Sequence, residues 1–100
     1  MEVKIIKEGD VNIFAITGRV DTSTASHLED AVNAYFTVPG AKVIFDCKEM
    51  EYISSSGLRV FLSAHKNIAM KGGEFSIRAI SPQVKAVFDM TGFSKILNII

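Results

Sequence analysis

Apolar and polar residues alternate along the first twenty positions of the chain. Val3 and Ile5, and then residues 11, 13 and 15, carry apolar side chains at every second position, and Gly9 and Asp10 separate the two segments. Period-two spacing on both sides of a glycine-containing turn is typical of a β-hairpin. We therefore predict two opening strands joined by a tight turn.

Two later segments have helical spacing. The first follows a run of helix-capping residues at 21–24, and its apolar positions between 25 and 36 recur every three or four residues. The second covers 58–69 and is followed by Gly72 and Gly73, which are typical helix stops. These patterns predict two amphipathic helices, the first of which ends before Pro39.

Two further segments have the composition of strands. Residues 42–47 are a short β-branched and aromatic run, typical of a central strand covered on both faces, and the charged pair 48–49 marks its predicted end. Residues 74–80 alternate like a strand. The apolar residues at 96–100 predict a closing strand or a packed tail.

A third helix is indicated by its end signals. Ser81 stands at the N-cap position, Pro82 at the first helical position and Gly92 just beyond the last turn. The predicted order is β-β-α-β-α-β-α with a possible final strand. This order is typical of an α/β fold in which helices pack on a mixed sheet, and we expect a single domain over 1–100.

Composition narrows the class of protein. The chain is 48% hydrophobic, has no low-complexity tract and carries one cysteine, Cys47, inside an apolar run, where a small buried hydrophobe in a reducing compartment is expected. Charges interrupt the apolar residues of the N-terminus, and no apolar run is long enough to span a bilayer. We expect a cytoplasmic protein without a membrane association.

Charge and histidine content exclude several functions. Eleven basic and eleven acidic residues give a formal net charge of zero, so no overall field favours nucleic acid. His27, His65 and Cys47 have no recognisable metal-ligand spacing, and no phosphate-binding glycine loop is present. We expect no metal and no cofactor.

Three consecutive serines, Ser54, Ser55 and Ser56, precede Gly57 at the start of the second predicted helix. The free N–H groups and positive dipole of a helix N-terminus stabilise a nearby negative charge by about 1 kcal/mol. A phosphoryl group on one of these serines is therefore compatible with a folded domain. The alternative interpretation is that one serine caps the helix and the others contact solvent.

The chain has T-G-R-V-D at 17–21, V-I-F-D at 43–46 and I-S-S-S-G-L at 53–58. Together with later segments, these resemble the STAS domain family and, within it, the free-standing anti-sigma factor antagonists of bacterial partner-switching systems. T-G-R-V-D looks like the turn before the family's first helix, V-I-F-D like its buried strand, and I-S-S-S-G-L like its I-D-S-S-G-L phosphorylation segment. The resemblance covers roughly residues 2–99. The matching segments are 17–21, 43–46, 53–58, 72–73, 80–84 and 88–96.

The resemblance implies a site. It places the phosphoacceptor at Ser55, with Ser54 and Ser56 as substitutes, and this chain has Ser54 where the family usually has aspartate. The implied partner-binding residues surround that serine: Asp21, Thr22, Ser23, Ser54, Ser56, Gly57 and Leu58.

The resemblance also implies a mechanism without catalysis by this chain. The unmodified domain, a monomer when free, would bind an anti-sigma factor that is also a serine kinase and so release a sigma factor. Phosphorylation would disrupt that interface by charge repulsion and desolvation, and a serine phosphatase would reset it. The alternatives are a constitutive STAS subunit of a transporter or other complex, and a small hydrolase that uses the serine loop.

Three residues have a structural interpretation beside the functional one. Asp21 either orients the kinase, its nucleotide or the serine hydroxyl, or is a turn residue or helix cap. Asp46, at the predicted end of the central strand, either hydrogen-bonds backbone near the serine loop or stabilises its own turn, and we favour the second interpretation. Gly57 either lets a partner approach the helix start or satisfies an unusual backbone angle.

Overall fold

The computed structural model describes residues 1–100, which form a mixed four-stranded sheet and three α-helices in the predicted order. The α/β class is therefore confirmed. The elements are β1 (Glu2–Glu8), β2 (Val11–Val20), α1 (Ala25–Asn33), β3 (Lys42–Ile53), α2 (Ser55–Met70), β4 (Glu74–Arg78), α3 (Pro82–Thr91) and a 3₁₀ turn (Phe93–Lys95).

Strand direction decides which loops meet. The strands lie in the order β1-β2-β3-β4, with β1 and β2 antiparallel and the other two pairs parallel. Because β2 and β3 run in the same direction, their carboxyl ends lie side by side, and Val20 pairs with Ile53. The turn after β2 and the start of α2 therefore share one edge of the sheet.

The core is built on one face of the sheet from a chain of aromatic rings. The ring of Phe45 lies 5.6 Å from that of Phe14 and 4.9 Å from that of Phe61, which in turn lies 5.7 Å from that of Phe88. Tyr35, just after α1, contacts Phe14 edge-on at 5.4 Å. These contacts join β2 and β3 to α2, to α3 and to the turn after α1, and the buried residues of α1 belong to the same core. The three helices therefore share one face of the sheet.

The prediction that β3 is covered on both faces was wrong. Val43, Phe45 and Cys47 are buried beneath the helices, whereas Ile44 and Asp46, which alternate with them, are only half-buried on the opposite face. The strand is interior in the sheet, yet only one of its faces meets the helices. Alternation of burial along a strand is the signature of a sheet with one solvated face.

β3 also extends six residues beyond its predicted end. Lys48 and Glu49 are exposed, but Met50 and Ile53 return to the core, so the charged pair does not stop the strand. The pairing of β2 with β3 continues to residue 53 and shifts register twice on the way. Such irregularities allow a strand to continue where the local pattern of side chains breaks.

Helix ends agree with the sequence where a local signal is strong. Ser81 Oγ accepts a hydrogen bond from the Val84 N–H at 3.3 Å, and Gly92 follows α3 at a φ of 81°. The first helix ends at Asn33, so Tyr35 and Phe36 lie in turns and still pack on the core. β4 ends at Arg78, two residues before its predicted end, and Ala79 then has a φ of 58°.

The final segment and Cys47 have simple structural roles. Ile99 forms one parallel bridge with Ile77, so the chain ends as a tail attached to the edge of the sheet. Cys47 is buried, and desolvation is the main cause that raises the pKa of its thiol to about 12. No helix of the chain combines the length and apolar character needed to cross a bilayer.

Candidate functional site

The predicted site residues meet at the carboxyl edge of β2 and β3. The backbone N–H of Ser54 donates to the carbonyl of Val20 at 2.8 Å, and this bond ties the serine segment to the turn that follows β2. Across the same junction, the hydroxyl oxygens of Thr22 and Ser56 are 3.4 Å apart. The turn at 21–24 and the first turn of α2 are thus adjacent despite more than thirty intervening residues.

The three serines have three different environments. Ser54 is half-buried at the N-cap of α2, and its Oγ accepts a hydrogen bond from the Gly57 N–H at 3.2 Å. Ser56 is half-buried and faces Thr22. Ser55 is exposed at the first position of the helix. Its hydroxyl takes no part in the hydrogen bonds that Ser54 and Ser56 form. Of the three hydroxyls, that of Ser55 is free to meet another molecule.

Gly57 fits neither of the two interpretations offered by the sequence. It is buried and helical without a positive φ, so it presents no surface and has no unusual backbone angle. A Cβ at this position would lie 2.8 Å from Cγ1 of both Ile53 and Val20. The glycine is required because the first turn of α2 packs directly on the ends of β2 and β3.

Asp21 uses its carboxylate within its own turn. Oδ1 accepts hydrogen bonds from the Ser23 N–H at 3.0 Å and from the Ser23 hydroxyl at 2.7 Å. The Ser23 hydroxyl is the main cause that holds the pKa of Asp21 below its ordinary value of 3.8. The carboxylate therefore stabilises the turn while remaining at the surface beside the serine segment.

The prediction that residues 21–24 cap the first helix through their side chains was wrong for Thr24. Thr24 is the N-cap residue of α1, but its side chain caps no helical N–H. Its hydroxyl instead donates to the carbonyl of Arg19 at 2.9 Å and accepts from the Asp21 N–H. Thr22 and Ser23 are exposed. The run closes the turn that leads into the helix.

Asp46 does not end its strand as the sequence indicated, because β3 continues past it to Ile53. Its Oδ1 accepts a hydrogen bond from the Lys48 N–H at 3.0 Å, and its Oδ2 lies 3.1 Å from Nη2 of Arg78 on the neighbouring strand. Neither contact involves the serine segment. The contacts of Asp46 are therefore structural, within β3 and with β4, but the expected turn is not formed.

Two shallow clefts lie beside the start of α2, and Ser56 lines the first and Ser55 the second. The α1–α2 cleft has a volume of about 270 Å³, and the α2–α3 cleft one of about 290 Å³. The α1–α2 cleft is lined by Thr22, Ala25, Ser26, Glu29, Ser56, Arg59, Val60 and Ser63. The α2–α3 cleft is lined by Ser55, Leu58, Arg59, Leu62, Thr91 and Phe93.

The sequence analysis missed Arg59, which lines both clefts. Its spacing of four residues from Ser55 was the available signal, because such residues are neighbours on one helix face. Neither cleft contains a histidine. A hydrolase that uses Ser55 would need a base to accept the hydroxyl proton, and the lining residues offer no imidazole for that role.

The mixed sheet with its three helices defines an α/β domain of the STAS type, and a STAS family profile matches residues 2–100. The chain belongs to the STAS domain family. A sequence relative is the anti-sigma-B factor antagonist of Listeria monocytogenes serovar 1/2a, which is 32% identical over 97 residues. That alignment covers 94% of this chain and 84% of the relative.

Solved structures share the fold. An anti-sigma factor antagonist from Mycobacterium paratuberculosis superposes with a TM-score of 0.87 at 21% identity, over 98% of this chain and 83% of the other. The antagonist SpoIIAA in its unphosphorylated form gives 0.75 at 15% identity, over 99% and 87%. A sulfate transporter family protein from Wolinella succinogenes also gives 0.75, at 16% identity, over 93% and 75%.

Proposed function

We propose that this chain is a cytoplasmic anti-sigma factor antagonist that phosphorylation of Ser55 switches off. In the unmodified state it binds an anti-sigma factor that is also a serine kinase, and a sigma factor is released. The kinase then transfers the γ-phosphoryl group of ATP to Ser55 Oγ, ADP leaves, and the hydroxyl proton passes to a base on the kinase. A serine phosphatase restores the free hydroxyl.

The exposure of Ser55 is the observation that carries this proposal. A kinase must bring its nucleotide within bonding distance of the acceptor oxygen, and Ser55 is the serine of the three that is both exposed and free of local hydrogen bonds. Ser54 is engaged as the helix cap, and Ser56 faces Thr22. Modifying either of them would disturb a contact that the fold uses.

The charge of a phosphate explains the switch. A phosphoserine carries about −1.5 to −2 charges at neutral pH. At Ser55 that charge would stand beside the partner surface, which we assign to the accessible residues of the site: Asp21, Thr22, Ser23, Ser54 and Ser56. Gly57 and Leu58, which the sequence also assigned to that surface, are buried in the first turn of α2. The α2 N-terminus tolerates the charge, so the domain stays folded while the interface with a partner is lost.

Ser54 in place of the family's aspartate fits the same proposal. Serine and aspartate are comparable N-cap residues, so the helix start is preserved, as the bond from Gly57 to Ser54 Oγ indicates. The substitution removes one negative charge next to the acceptor. The phosphorylated state of this chain is therefore exposed to less local repulsion than a family member with aspartate there.

The test is mass spectrometry of the purified protein after incubation with ATP and each anti-sigma kinase of its own host. We expect one phosphate on the peptide that contains Ser55, its loss in Ser55→Ala, and its retention in the matched variant Ser26→Ala, which removes an exposed serine of the neighbouring cleft. Phosphate on another residue would reassign the site. No phosphate with any of these kinases would overturn the switch.

The second candidate is a constitutive STAS subunit of a larger complex. The fold shared with a sulfate transporter family protein and the absence of the usual aspartate at Ser54 favour it. Binding to a host complex that is equally strong for the wild type and Ser55→Glu, together with no phosphorylation, would support this candidate over the first.

A further inference from the structure

Ser55 and Arg59 are neighbours on the surface of α2. They are four positions apart in the helix, and both line the α2–α3 cleft. Side chains at positions i and i+4 of a helix lie on one face, and an acidic group placed four residues before a basic one has the favourable orientation. A negative charge on Ser55 would therefore stand directly in front of the Arg59 side chain.

Arg59 has no acidic partner in the unmodified protein. The four ion pairs of the structure use Arg19, Lys42, Arg78 and Lys85, and Arg59 is exposed. It is the one charged residue that lines the α2–α3 cleft. In the α1–α2 cleft the other charged residue is Glu29, which is not within ion-pair distance of it. The guanidinium is thus available to a new anion.

We propose that Arg59 binds the phosphate on Ser55 and so forms part of the phosphorylation switch, an inference that rests on the proposed function of Ser55. Guanidinium groups bind phosphate oxygens in a bidentate manner, with shorter and stronger hydrogen bonds than neutral donors make. Phosphorylation then changes two groups at once. It adds a dianion at Ser55, and it pairs the Arg59 guanidinium, which lines both clefts, with that dianion.

The pair is tested without any kinase, on the full chain with phosphoserine incorporated at position 55 during synthesis. Phosphorus NMR follows the titration of the second phosphate proton in the wild type and in Arg59→Gln. We expect an acid dissociation constant about two- to threefold larger with Arg59 present, because the cation favours the dianion. Nitrogen NMR of the Arg59 Nε–H group should show a chemical-shift change when Ser55 carries phosphate.

Matched variants exclude a general charge effect. Lys66→Gln removes another exposed cation of α2 and should leave the phosphate titration unchanged, whereas Arg59→Lys should retain part of the effect. Equal titrations in the wild type and Arg59→Gln, or an unchanged Arg59 signal, would overturn the pair. That result would not contradict phosphorylation of Ser55 by a kinase. Conversely, a protein that no kinase phosphorylates could still show the pairing of Arg59 with an incorporated phosphoserine.

Discussion

Gly57 packs against Val20 so closely that a single added carbon has no room. A Cβ at Gly57 would be 2.8 Å from Val20 Cγ1 and 3.0 Å from the Val20 carbonyl oxygen. The backbone of α2 therefore rests on the end of β2, and the contact fixes where the helix begins.

This contact predicts the sign of the effect of Gly57→Ala. Alanine in a helix is ordinarily more favourable than glycine by about 1 kcal/mol. Here the clash should dominate, and the free energy of unfolding in urea should fall by about 1–3 kcal/mol. Ser55→Ala, on the exposed side of the same turn, should change it by less than about 0.5 kcal/mol. A Gly57→Ala protein as stable as the wild type would contradict the close packing.

The cap made by Ser54 predicts a difference between two substitutions. Ser54→Ala removes the acceptor for the Gly57 N–H and should lower the free energy of unfolding by about 1 kcal/mol. Ser54→Asp supplies an equivalent acceptor and should stay near the wild type in the same urea titration. A Ser54→Ala protein as stable as the wild type would show that the hydroxyl of Ser54 does not stabilise the helix start.

The backbone at Ala79 predicts a stabilising glycine. Ala79 has a φ of 58°, in the left-handed region that costs a residue with a Cβ about 1–2 kcal/mol. After the extra entropy of glycine in the unfolded chain is subtracted, Ala79→Gly should raise the free energy of unfolding by about 0.5–1 kcal/mol. Ala69→Gly, at an exposed helical position, should lower it by a similar amount and serves as the control.

The turn around Asp21 predicts a dependence on pH. Its pKa is lowered in the folded state, mainly by the Ser23 hydroxyl, so the carboxylate stabilises the fold at neutral pH. That contribution should be lost as the pH falls below about 4, where the unfolded chain takes up the proton first. Carbon NMR titration should show the pKa of Asp21 rising in Ser23→Ala.

Asp10 provides the internal control for that titration. Its pKa is also lowered, but by the side chain of Lys42, which lies at the start of β3, at the opposite end of the strand from the serine segment. Ser23→Ala should leave the Asp10 titration unchanged. A parallel rise in both residues would indicate a general change in the protein and would contradict the local origin of the Asp21 effect.

The sequence predicted those parts of the fold that depend on neighbouring residues. Ser81, Pro82 and Gly92 define α3 because each acts through its own backbone position and hydrogen bonds. The extension of β3 was missed because Lys48 and Glu49 look like a strand end, and only the pairing with β2, distant in the sequence, continues the strand.

The same distinction applies to the site. The sequence predicted the serine segment because the three serines and the glycine that define it are consecutive residues. The role of Gly57 was missed because it is set by the side chains of Val20 and Ile53, which approach from two strands. Arg59 was missed because its position between two clefts depends on how α1 and α3 pack beside α2.

The hydrogen bond between Ser54 and Val20 means that the site forms only when β2 and β3 have paired. Contacts between residues far apart in the sequence form only after the intervening chain has been ordered, and parallel strand pairing is slow to form. An incompletely folded copy would still contain Ser55, but without the neighbouring turn or the ordered helix start. Any partner that binds the turn and the helix start together would therefore bind only a correctly folded chain.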